Sequence, residues 1–205
     1  AWCLCNEEPI QTTPIAKHIA KTMADEVRSL DPTRPVTAAV SGGLLNDDSI
    51  ADVLDVMSIN YLMPQHDAFH AKRPKLPVLM SESHCAYGTR GETTTDLERH
   101  RFAADDSHHA PWGATAQATW QHVNERPWLA GVFAWTGFDY RGEPSPHEWP
   151  SVVSHWGIMD LCGFEKHAFY LHREWWAGIP VPPPACTSPA VAIGLEPHPS
   201  FRTAI

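Results

Sequence analysis

No run of about eighteen apolar residues occurs in the chain, so no transmembrane helix is expected. Positive charge is scarce: 15 Lys and Arg stand against 24 Asp and Glu, a formal net charge of −9. A nucleic-acid binder needs a basic face, so nucleic acid is excluded as a partner and a neutral substrate fits better. Cysteine is sparse and odd in number. Cys3, Cys5, Cys85, Cys162 and Cys186 are scattered and form no disulfide framework. Cys3 and Cys5 share a face of a predicted strand, but no further pair follows at zinc-finger spacing. They read as core thiols of a reducing compartment, which leans the open question of localisation toward the cytoplasm. No His-Glu-x-x-His pattern occurs among the 13 histidines, which are spread along the chain, so no metal or cofactor is expected. His108-His109 reads as a polar helix surface. No stretch of this sequence reads as a secretory signal. The chain opens Ala1-Trp2-Cys3-Leu4-Cys5 without an initiator Met and inside a predicted strand, so its true N-terminus is expected to lie upstream. Oligomeric state is not set by any of these features.

What is present is a foldable chain. Its 205 residues are 43% hydrophobic and include nine Trp, enough for one sizeable domain with a core. That much indole serves either packing or exposed platforms for sugar rings. Short apolar runs alternate with amphipathic stretches, the pattern of a parallel sheet with helices outside it. Strands are predicted at 1–5, 36–40, 56–61, 77–81 and 131–135. Helices are predicted at 14–30, 66–72, 97–108, 114–125 and 167–176, with a helical turn at 50–54. The first helix places Ile15, Ile19, Met23, Val27 and Leu30 on one face. Asp31-Pro32-Thr33-Arg34-Pro35 ends it. Five strands are too few for a closed eight-stranded barrel and suit the second part of one. From Gly178 the chain turns proline-rich and loses all periodicity, so 178–205 reads as a disordered tail.

Two glutamates follow strands directly: Glu7 after Trp2-Cys3-Leu4-Cys5-Asn6, and Glu82 after Val78-Leu79-Met80-Ser81. The C-terminal ends of parallel barrel strands open on one face, where active sites lie. Two carboxylates there can divide the work of glycoside hydrolysis, one donating a proton to the leaving oxygen and the other attacking the anomeric carbon. A strand-end glutamate also serves as a surface charge or an ion-pair partner, and residue types alone leave that open.

Several segments in order resemble glycoside hydrolase family 2. Trp2 to Glu7 is similar to that family's Trp-Ser-Leu-Gly-Asn-Glu segment, and Pro77 to Glu82 to its nucleophile segment. Leu30-Asp31-Pro32-Thr33-Arg34-Pro35-Val36-Thr37 resembles its linker after the acid/base strand's helix. Gly131-Val132-Phe133-Ala134-Trp135-Thr136-Gly137-Phe138-Asp139-Tyr140-Arg141-Gly142-Glu143-Pro144 is the longest match. It continues through Trp149-Pro150-Ser151, Gly157-Ile158-Met159-Asp160 and Gly163-Phe164, and resembles the β-galactosidase branch. The resemblance covers roughly residues 1–177. It implies an α/β fold, the C-terminal part (about five β/α units) of a (β/α)8 TIM barrel with its N-terminal units missing.

The activity implied is retaining hydrolysis of β-galactosides, with Glu82 as nucleophile and Glu7 as acid/base, their carboxyls about 5–5.5 Å apart. Asn6 is expected at the sugar 2-hydroxyl and Tyr61 on the nucleophile. Trp135 is expected to floor the sugar and His84 to touch a hydroxyl. Asp139, Glu143 and Trp149 either shape the subsite or hold their loop. Glu8 is expected to be structural. Cys5 stands where the family carries Gly, beside the acid/base. The family's flanking sandwich domains and first barrel strands are not in this sequence; an open half-barrel exposes its first strand's edge and its core face, so the chain alone is expected to fold poorly or aggregate. β-Glucuronidase and β-mannosidase activities on the same barrel remain open, with Arg90 and Arg141 as candidates for a sugar carboxylate. So does a truncated, non-catalytic carbohydrate-binding remnant.

Overall fold

The computed structural model describes residues 1–179. They divide into two compact units, residues 1–83 with 125–133, and residues 84–124 with those from 134 onward. Of the predicted tail, 178–205, residues 180–205 lie outside the described residues.

The first unit is a parallel sheet. Its strands β1 (Trp2–Asn6), β2 (Val36–Val40), β3 (Met57–Asn60), β4 (Val78–Glu82) and β7 (Leu129–Val132) stand in that order, all parallel. Every residue of β2 and β3 is buried, as expected for the near-continuous apolar runs of an inner parallel strand. Strand β1, at the edge, is half-buried to exposed. Helix α1 (Pro14–Leu30) begins with Pro at its first turn and ends at Asp31, whose N–H donates to Val27 O at 2.8 Å. Hydrogen bonds from Thr33, Trp2 and Arg34 fix the Asp31 carboxylate and hold it well below the usual carboxylate range, so the predicted turn is a side-chain-tied corner. Helix α2 (His66–Lys72) follows a short 3-10 turn after β3.

Helix α1 packs by its small residues. Its large apolar residues do not face inward: Ile15, Ile19, Met23 and Leu30 are exposed, and Ala16, Ala20 and Ala24 form the buried row. Small residues allow close approach of the helix, so periodicity found the apolar stripe but not the packed face. The thiols depart from their expected core placement. Among the described residues, Cys3 and Cys162 are exposed, Cys5 is half-buried and only Cys85 is in the core.

Among its described residues the second unit has strands β5 (Ala86–Tyr87) and β6 (His108–His109), antiparallel to one another, and helices α3 (Ala116–Asn124) and α4 (His167–Ala177). Trp120 stacks on Trp175 at 5.5 Å, with Ala116 and Leu171 packed beside them. The helix predicted over 97–108 is absent, and His108-His109 is strand rather than helix surface. Side chains there take the amides a helix would use. Thr89 Oγ1 accepts from Phe102 N, Thr95 Oγ1 from Ala103 N, Asp96 from Arg99 N and Asp105 from Ser107 N. Asp106 accepts from the N–H groups of Ala116 and Gln117 at 2.8 and 2.9 Å, so it caps α3 instead of extending a helix of its own.

Candidate active site

Parallel strands finish at one edge of their sheet, and in the first unit that edge carries the two carboxylates. Glu7 follows β1 and Glu82 is the last residue of β4, both half-buried. The backbone bends sharply at these ends. Glu7 has φ +51° and Tyr61 φ +60°, in the left-handed region that non-glycine residues rarely adopt. Backbone bonds hold both: Glu7 N–H donates to Ala39 O and Tyr61 N–H to Glu82 O, each at 3.0 Å. The strand registers shift between Cys3 and Asn6 and between Ile59 and Asn60. Such irregularities re-aim side chains at the end of a strand.

The end of β3 ties the site together. Asn60, fully buried, donates from Nδ2 to Asn6 Oδ1 at 3.0 Å and to Glu7 Oε1 at 2.8 Å. Its Oδ1 accepts from Ser81 Oγ at 2.5 Å. The next residue, Tyr61, donates its hydroxyl to Glu82 Oε2 at 3.0 Å. The buried His66 ring lies 2.8 Å from Tyr61 O and braces the turn that follows. Consecutive residues of one strand thus hold one carboxylate each. The arrangement can do paired carboxylate chemistry, with neutral donors orienting both acids. Asn60 and Ser81 were not among the residues singled out from sequence. The available signal was an amide closing a buried strand, Met57-Ser58-Ile59-Asn60, since a buried amide must be hydrogen-bonded. Cys5, half-buried in β1, has its thiol pushed up by burial and by Cys3 and Glu8.

The other sequence candidates lie in the second unit. His84 is buried with its ring 5.0 Å from that of His172, and burial holds its pKa well below the usual value, so it is neutral at pH 7. Trp135 is half-buried, bridged to His84 along the backbone, and meets the Tyr140 ring edge-on at 5.9 Å. Asp139 is buried and engaged: each carboxylate oxygen takes Lys166 Nζ at 3.0 Å, and Gly157 N–H donates to it at 2.8 Å. Burial pushes Asp139 up and Lys166 down. A Cβ on Gly157 would lie 2.1 Å from Asp139 N, which explains why this position carries glycine. Glu143, exposed, accepts the Tyr140 hydroxyl, and burial together with that bond raises the Tyr140 pKa. Trp149 is 84% exposed, available to a flat ligand rather than to a core.

Known proteins resemble this chain in sequence and fold. Beta-galactosidase BoGH2A of Bacteroides ovatus is 34% identical over 175 residues, which cover 77% of this chain and 21% of that protein. A glycosyl hydrolase family 2 member from Bacteroides cellulosilyticus superposes with TM-score 0.65 at 25% identity, over 92% of this chain and 22% of its own.

The chain is a relative of family 2 glycoside hydrolases.

It spans about a fifth of the length of the curated relative it matches, 21%. The FMN-binding beta-glucuronidase from Facaelibacterium prausnitzii L2-6 shares the fold at TM-score 0.66 and 22% identity, over 86% of this chain and 28% of its own. No family model matches the chain.

Proposed function

We propose that the protein carrying this chain is a retaining β-glycosidase acting on terminal β-galactosyl residues. One observation carries the reading: Asn60 and Tyr61, adjacent at the end of β3, donate to Glu7 and Glu82 respectively. Glu82 attacks the anomeric carbon while Glu7 gives its proton to the departing glycosidic oxygen, leaving a glycosyl ester on Glu82. Glu7 then takes a proton from water as that water attacks the same carbon, and Glu82 departs as carboxylate. Residues 1–177 act as the C-terminal part of a (β/α)8 barrel catalytic domain. The sequential order of five parallel strands supports this, as does the likeness to solved family 2 structures. The galactoside reading rests on the likeness to the Bacteroides ovatus protein. In the second unit, Trp135 and the exposed Trp149 supply aromatic surface for a sugar ring, whereas Asp139 serves to hold its loop.

The test is hydrolysis of nitrophenyl β-glycosides by the full-length protein, with galactoside, glucuronide and mannoside arms and Glu82→Gln as control. Cleavage of the galactoside that is lost in the variant supports the reading. Preference for glucuronide or mannoside overturns the substrate and keeps the chemistry. Activity retained in Glu82→Gln overturns the nucleophile, and no activity on any arm favours a non-catalytic protein.

A further inference from the structure

We infer that Asn60 is the positioning residue of the acid/base: it fixes which oxygen of Glu7 carries the transferable proton, and Ser81 fixes Asn60. This rests on the proposed role of Glu7. An amide has two N–H donors at one end and an acceptor at the other. Both donors of Asn60 are used, on Glu7 Oε1 and Asn6 Oδ1, and its oxygen takes the Ser81 hydroxyl. Flipping the amide would set its oxygen against two other acceptors, so only this orientation satisfies every partner. An oxygen that accepts an N–H at 2.8 Å is the poorer seat for a proton, which places the proton on Oε2. Among the described residues no hydrogen bond reaches Glu7 Oε2 or leaves Asn6 Nδ2, so both are available to a substrate. The amide therefore presents two groups together, the acidic O–H of Glu7 and the N–H donors of Asn6. Ser81 neighbours Glu82 on β4, so one relay links the segments that bear both carboxylates. Asn60 itself is fully buried and takes no part in the bonds made or broken.

A residue that positions an acid matters where the leaving group needs a proton and not where it departs unaided. The experiment compares kcat/KM of the full-length protein for a dinitrophenyl β-galactoside, whose phenolate leaves unprotonated, with that for an alkyl β-galactoside. Glu7→Gln, Asn60→Ala and Ser81→Ala are measured beside the parent. Glu7→Gln should lose activity on the alkyl substrate selectively. Asn60→Ala should show the same selectivity, about 10- to 100-fold on the alkyl substrate and little on the other. Ser81→Ala should follow with roughly 2- to 10-fold, and it decides the matter if Asn60→Ala does not fold. If Glu7→Gln is selective while the Asn60 and Ser81 variants lose both substrates equally, the inference is overturned and the proposed function stands. If Glu7→Gln shows no selectivity, the acid/base assignment itself fails, and the inference with it.

Discussion

In the first unit, polar side chains at the strand ends are held by neutral donors: Asn60 on Glu7, Tyr61 on Glu82 and Ser81 on Asn60. In the second, Asp139 and Lys166 meet as opposite charges in a buried pair, and His84 and His172 are buried as neutral rings. The difference separates two uses of a carboxylate. Glu7 and Glu82 stay half-buried and in reach of solvent. Asp139 has both oxygens committed and serves as a fastener between residues 139 and 166.

That contrast is best broken at Glu82. Glu82→Gln should lower kcat roughly 10⁴-fold or more while leaving the thermal midpoint near that of the parent, because it removes the reacting oxygen and little packing. Lys166→Met should do the reverse. Leaving Asp139 buried without its cation should cost about 3–5 kcal/mol in denaturant unfolding. An unchanged midpoint would show that the pair is not a fastener. Gly157→Ala belongs with it, since the added Cβ meets Asp139 N at 2.1 Å, and should reduce the yield of folded protein.

Acid should also separate the units. Burial, with Lys166, His147 and His100 nearby, pushes His155 from 6.5 down to about 4, and His147 moves the same way. Such a group binds its proton more readily unfolded than folded, so its contribution is complete above about 6.5 and is lost as pH falls toward about 4. Hydrogen exchange across that window should accelerate in 84–124 before it does in 1–83. Uniform acceleration would deny the separation. The smallest effects concern α1: Ala20→Leu should cost about 1–3 kcal/mol by overpacking, and Ile19→Ser, on the exposed stripe, within about 0.5 kcal/mol. Equal costs would contradict the observed facing of the helix.

The sequence was legible where local chemistry decides. Pro14 and the Asp31 corner bound α1, His66–Lys72 and His167–Ala177 form helices where their periodicity places them, and both glutamates stand at strand ends. It misled where partners distant in sequence decide. Residues 97–108 have helical composition, yet their amides are claimed by Thr89, Thr95 and neighbouring aspartates. The strand expected at 131–135 pairs instead over Leu129–Val132, its pairing with β4 reaching the bond from Phe133 N–H to Met80 O at 2.9 Å. Asn60 escaped notice because its importance lies in contacts 53 and 54 residues back along the chain, which no periodicity reveals.

The central claim is that Glu82 forms a covalent bond to the sugar. Incubating the full-length protein with a 2-deoxy-2-fluoro-β-galactosyl dinitrophenolate should trap that ester, because the fluorine slows its hydrolysis more than its formation when the leaving group is this good. Mass analysis of the digested protein should place one fluorosugar on the peptide containing Glu82. Label on Glu7, or inhibition without any covalent label, would contradict the account.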